Sequence, residues 1–348
     1  MRWARVACLA ILGSGLLTAC GGGDEAPSEA SGVPSQAPPA SSPSPSGAVP
    51  FQISEPSPTV APIKDETIEA SIFSGDAPYH VIAAFGSIWV SNHRSSSVSR
   101  IDPTTNEVIE RVNVGIQPGG LLAAAGSVWV ANYGANTVNR IDPATNDSVP
   151  FETGDGLTCG TPAFAGGLIW VGQCDEGVTA GLDPESGTVT QTIEAAGMPA
   201  GDGDELWLSW DHRLVRYDPG TGQEVAEVSL GSEPIASWMS FTEDRLWFSY
   251  GVGSTGDGRV AAIDLATGLA ETVGHVGSVP AGPVVDEGIV WVLSTLDETM
   301  SRIDASAERV EDTTDLPPID AGEVAVAFGS IWLADIESGY LYRVELPS

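Results

Sequence analysis

The chain carries four histidines, His80, His93, His212 and His275. Imidazole changes charge near neutral pH, so each could serve as a general acid, a general base or a metal ligand. Glu323 is the carboxylate to set beside them. It lies nine residues before Trp332, and His80 lies nine residues before Trp89. A His–Glu pair at matching positions around a channel could move protons or hold a divalent ion. The same offset before the other tryptophans of the series holds Gly120, Thr161, Met198, Trp238 and Gly282. Three residues after each tryptophan stand Asn92, Asn132, Gln173, Trp210, Tyr250, Ser294 and Asp335. His93, Arg94, Tyr133, Asp175, Asp211 and His212 flank them. Aromatic and hydrogen-bonding groups gathered at a concave mouth suit a small organic ligand or a peptide. The ordinary alternative for every one is a solvated rim residue. No nucleophile elbow, phosphate loop, HExxH or CxxC pattern occurs. Asp202-Gly203-Asp204 reads as a turn, because calcium needs six or more converging oxygens.

The elements that must position these residues repeat. Trp89, Trp129, Trp170, Trp207, Trp247, Trp291 and Trp332 recur at gaps of 37 to 44. An alternating or apolar run and a tight turn precede each, as at Phe85-Gly86-Ser87 and Ala125-Gly126-Ser127. A polar loop follows, then a strand such as Val98-Ser99-Arg100-Ile101, which closes on an Asp at most repeats. In Asp102-Pro103-Thr104-Thr105-Asn106 the Asp side chain can accept backbone N–H bonds, Pro presets φ, and Asn tolerates φ > 0. Four short strands per repeat, seven times over, predict an all-β, seven-bladed β-propeller with four-stranded blades. A period near forty also occurs in helical repeats, but the Val/Ile/Trp alternation and the Gly and Pro turns oppose helices.

The seventh repeat shows three strands, ending with Tyr340-Leu341-Tyr342-Arg343-Val344. Glu66-Thr67-Ile68-Glu69-Ala70-Ser71-Ile72 matches a fourth strand and precedes the first Trp repeat. The N-terminal strand is therefore expected to complete the last blade, a 3+1 closure that leaves no open end. In such a ring the loops after second strands and those entering each blade share one face, where binding sites are usual. Cys159 enters the inner strand of the third blade and Cys174 leaves its second strand. Those ends meet in an antiparallel pair, so a Cys159–Cys174 disulfide is expected, with a metal or redox pair as the alternative.

The stretches Val130-Ala131-Asn132-Tyr133-Gly134, Asn136-Thr137-Val138 and Ile141-Asp142-Pro143-Ala144-Thr145-Asn146 resemble the YVTN-type propellers. They resemble also the virginiamycin B (streptogramin) lyase-like group, and the resemblance runs over about residues 66–348. It implies a propeller. For the lyases it further implies His and Glu side chains with Mg²⁺ at the propeller mouth, eliminating a ring-opening ester. No local motif carries those roles onto particular residues here. His80, Glu323, His212 and His275 are catalytic candidates by position alone.

The N-terminus has Arg2 and Arg5, an apolar run from Val6 to Leu17, then Leu17-Thr18-Ala19-Cys20. That run is too short to span a membrane stably. The pattern resembles the lipobox of bacterial lipoproteins, which implies cleavage before Cys20 and lipid attachment to it. The alternative is an ordinary secretory signal. Residues 1–19 are thus expected to be a signal peptide, and 20–65, rich in Gly, Ser, Pro and Ala, a disordered tether. The net charge of −33 repels phosphate backbones, so nucleic acid is not an expected partner. The expected protein is extracytoplasmic, membrane-anchored through Cys20 and folded over 66–348. It would act as a binding module for a small molecule or an extracytoplasmic protein or peptide. A streptogramin lyase-like, metal-assisted lyase or hydrolase is the alternative. The sequence itself specifies no cofactor, and Mg²⁺ enters only with that alternative.

Overall fold

The computed structural model of the chain describes residues 61–210, 212–229, 235–251, 257–319 and 321–346, and of 235–237 the backbone alone. The signal segment, the lipidation candidate Cys20, the tether through residue 60 and Asp211 lie outside the described residues. The described strands form seven four-stranded antiparallel sheets. Six are consecutive in the chain: residues 78–113, 118–152, 158–193, 198–229, 235–277 and 284–315. The seventh blade takes three strands from 321–345, and its outer strand is the N-terminal Ile68–Phe73, paired with Tyr340–Glu345. The ring is therefore closed 3+1 in a seven-bladed propeller. Among the described residues no helix is long and apolar enough to cross a membrane.

The repeated residues build this ring by three recurrent devices. The seven tryptophans sit in the second strands and are at most 2% exposed. Their indole N–H donates to a carbonyl five residues earlier in several blades, as from Trp89 to Ala84 at 3.0 Å and from Trp332 to Ala327 at 3.1 Å. Burial of a ring this size is the largest apolar contribution any residue makes, and in those blades its polar atom is satisfied inside the blade.

In five blades the first and second strands join through two-residue turns with positive φ at both central positions, as at Phe85 (φ 50°) and Gly86 (φ 72°). That is the type I′ hairpin, whose twist matches the flanking strands. The third and outer strands join through the Asp turns. Asp102 Oδ1 accepts from Thr104 N at 2.7 Å, and Asn106 takes φ 60°.

The third device links blades. Arg100 stacks on Trp89 and donates to Pro143 O and Asn146 Oδ1 in the next blade's Asp turn. Arg140 reaches Pro184 O of the third blade in the same way. Arg343 stacks on Trp332 and donates to Pro103 O and Asn106 Oδ1 of the first blade. The closing joint thus uses the same arginine clamp as the joints between the first and second and the second and third blades.

Candidate functional site

The inner strands are irregular where they enter the ring. Pairing with the second strand shifts register between Pro78 and Val81, Pro118 and Leu121, Cys159 and Ala163, Ile235 and Met239, and Ala321 and Glu323. Such bulges release residues from the pleat and re-aim their side chains. Tyr79, His80, Gly119, Gly120, Thr161 and Trp238 all lie inside these irregular stretches, and Glu323 lies at the edge of one. The propeller mouth is therefore built from the positions where the ladder is loosest and the repeats differ most.

Trp238 reaches across to the inner strands of two other blades. Its Nε1–H donates to Thr161 Oγ1 at 2.5 Å, and its ring lies 6.1 Å from His80. These residues belong to the fifth, third and first blades, which are not neighbours, so the indole lies across the axis. His80 is 8% exposed and its Nδ1 accepts from Leu121 N at 3.3 Å. The neutral ring then carries its proton on Nε2. Burial pushes the His80 pKa down to about 4, which keeps the ring uncharged at neutral pH.

Three further rings pack together. Tyr79 lies 5.3 Å from His93 and 5.8 Å from Tyr133, and His93 lies 6.2 Å from Tyr133. Tyr133 leaves the second blade's loop and folds back over its own inner strand. Gly119 permits this, since a Cβ there would run into the Tyr133 ring. The Tyr133 hydroxyl accepts from Gly120 N at 3.1 Å. Burial first, then the nearby Tyr79 and Glu323, push its pKa well above the usual phenol value. His93 Nδ1 donates to Pro118 O at 3.2 Å, while burial lowers its pKa. Glu323 is 8% exposed, and burial raises its pKa well above the usual carboxylate range.

The structure thus gathers His80, His93, Tyr133, Trp238 and Glu323 around one mouth. It does not gather the others. Asn132 is fully buried and its amide donates to Thr137 and Asn139 of its own blade. Asp335, 3% exposed, accepts from Glu337 N and Ser338 N. Tyr250 turns outward, with its hydroxyl 2.6 Å from Thr272 Oγ1 on the outer strand. The position three residues after each tryptophan therefore shapes the loop and does not open onto the channel in these blades. Trp210 is 45% exposed on the fourth blade's loop, with His212 half-buried beside it. Arg94 is exposed on the first blade's loop. His275 is exposed on an outer strand, where it pairs with Arg259. Strand counting finds the right end of the ring for His275 but not its radius. Tyr79 was not among the expected site residues, although its place beside His80 was the available signal.

Cys159 and Cys174 form a disulfide, with Cα atoms 6.0 Å apart, at the mouth end of the third blade. Among the described residues no three His, Cys, Asp or Glu side chains converge to hold a metal. A separate recess of about 210 Å³ on the opposite face lies around Arg245, Asp264 and Glu308. Its arginine is already paired with both carboxylates.

No protein-family model and no curated protein sequence matches the chain. Solved structures do match in fold. Hydrazine synthase from Kuenenia stuttgartiensis superposes with a TM-score of 0.65 at 13% identity, covering 82% of this chain and 99% of that one. Virginiamycin B lyase from Staphylococcus aureus gives 0.64 at 15%, covering 78% and 95%. A streptogramin B lyase gives 0.64 at 16%, covering 78% and 94%. At such identities the likeness is one of fold: this chain is a seven-bladed β-propeller that distantly resembles those proteins.

Proposed function

We propose that this protein is an extracytoplasmic β-propeller, held to the membrane by a lipid on Cys20, whose mouth binds a small organic ligand. The observation that carries the reading is the mouth itself. Bulged inner strands turn Tyr79, His80 and Trp238 out of the ladder, and Tyr133 folds onto two glycines to join them. A crossing indole, an aromatic wall and a buried carboxyl on a rigid ring are the parts of a preformed ligand site.

The virginiamycin B lyase-like alternative has His80 and Glu323 to work with as general acid and base, and no third donor gathers with them among the described residues. The binding reading needs no third donor. A thermal-shift screen of small polar and aromatic compounds tests it, because a ligand that binds the folded state raises its melting temperature. Compounds that stabilise the protein are expected to lose that effect in Tyr133→Ala. Compounds that stabilise variant and wild type alike would place the site elsewhere.

A further inference from the structure

Glu323 and Asp335 are both buried carboxylates of the seventh blade, and they are treated differently. Asp335 accepts two backbone N–H groups. Glu323, 8% exposed, accepts no hydrogen bond from a described residue, and its carboxyl is not wholly shut from solvent. A largely buried carboxyl that meets no protein donor costs stability, and an incoming donor would relieve that cost. The groups facing it offer no positive charge. The first blade's inner strand contributes Tyr79 and His80, and His80 is neutral. The second blade's loop contributes Tyr133. The neighbouring inner strand of the sixth blade, Val284–Asp286, has its one titratable residue at the far end.

The rest of the mouth narrows the choice. Its loops expose Asp76, Asp155, Glu176, Asp297, Glu298 and Glu337, while Arg94 is the one Arg or Lys among their described residues. That field repels anions and concentrates cations at the opening. A divalent metal asks for several converging donors, and the described residues bring no three together. An organic cation asks for less: one carboxylate and aromatic faces.

We propose that the mouth receives a protonated amine, an alkylammonium group set against the rings of Tyr79 and Tyr133 with Glu323 as its counter-ion. This rests on the mouth being the binding site, and names the chemistry of what it takes. The ammonium belongs to a free amine or to a lysine side chain. Binding is coupled to a proton. Burial raises the Glu323 pKa well above the usual carboxylate range, which favours its protonated form when the mouth is free. A bound ammonium favours the carboxylate, so the carboxyl proton leaves to the buffer and the site ends as a neutral pair.

Isothermal titration of the purified protein tests this with three probes: n-butylamine, which is protonated at these pH values, its uncharged isostere butan-1-ol, and Nα-acetyl-lysine methylamide. One or both amines are expected to bind at least tenfold more tightly than the isostere, and which amine binds tighter names the source. Glu323→Gln is expected to remove that preference. Titration of wild type in two buffers of different ionisation enthalpy, at pH 5 and pH 7, is expected to show proton release on binding, and this readout needs no variant. Equal affinity for n-butylamine and the isostere, or binding without proton release at either pH, overturns the amine and leaves the mouth as a site for uncharged ligands. Silence from all three probes also overturns the amine. The thermal-shift screen against Tyr133→Ala then decides the mouth separately.

Discussion

Replacing His80 by Asn should flatten part of the protein's acid lability. His80 is uncharged in the fold, with its pKa pushed down to about 4 by burial. In an unfolded chain the same ring titrates near 6.5. Between those two values the unfolded chain binds more protons than the folded one, so stability falls as pH drops. Linkage gives a loss from this residue of about 2 kcal/mol at pH 5 and about 3 kcal/mol at pH 4, relative to pH 7 or above. For a propeller of this length, with an unfolding entropy near 0.6 kcal/mol/K, the larger figure is about 5 °C in melting temperature.

Asn is chosen because its Oδ1 can replace Nδ1 as the acceptor for Leu121 N–H and does not titrate. The smaller side chain will lower stability at every pH, so the readout is the gap between the two proteins. The Asp turns supply a shared background. Asp102, Asp183, Asp218, Asp264 and Asp304 are held below the usual carboxylate range mainly by hydrogen bonds, and lose that stabilisation in acid in both proteins. Thermal melts from pH 7.5 to 4 should show the gap shrinking by about 5 °C. A gap constant within about 1 °C would refute the neutral, buried histidine at the mouth.

Glu323 should behave in the opposite sense. Its folded-state pKa is raised, so its contribution is intact below the unfolded value and is lost as pH rises toward the folded one. Glu323→Gln is therefore expected to melt higher than wild type at pH 7–8, with the difference fading toward pH 4.5; a pH-independent difference contradicts it. Arg343→Ala removes charge-assisted bonds to Pro103 and Asn106 and a stack on Trp332, and should cost about 3–4 kcal/mol, or roughly 5–7 °C. Arg302→Ala removes ion pairing to Glu311 within one blade and should shift melting by less than about 2 °C. Equal losses for the two would deny the clamp its role in ring closure. Cys159→Ser with Cys174→Ser opens a 15-residue separation and should cost about 3 kcal/mol in the chain-entropy model, read by melting under matched conditions.

The ring was legible because its parts are local and repeated. Trp129, the Ala125-Gly126 turn and the Asp142–Asn146 turn each declare a strand or a reversal within a few residues, and seven copies leave one architecture. The 3+1 closure was legible from Glu66–Ile72, a strand pattern with no blade of its own. The mouth was legible in part, because an offset from a tryptophan fixes depth along an inner strand. That found His80, Trp238 and Glu323. It failed for Asn132, Tyr250 and Asp335, since a position in the chain does not say whether a polar atom turns to the channel or to its own loop. The fold of Tyr133 onto Gly119 and Gly120 depends on a contact between two strands, and only the paired glycines hinted at it. His212 and His275 share the mouth's end of the ring with His80, but their radius was invisible to strand counting.

Hydrogen–deuterium exchange with the strongest stabilising compound tests the binding account most directly. Protection is predicted in peptides covering residues 77–81, 117–122, 132–136 and 321–325, which carry the bulged inner strands and the Tyr133 loop. Protection confined to the Asp turns at 102–106 and 142–146, or to outer strands, would contradict the mouth as the site of function.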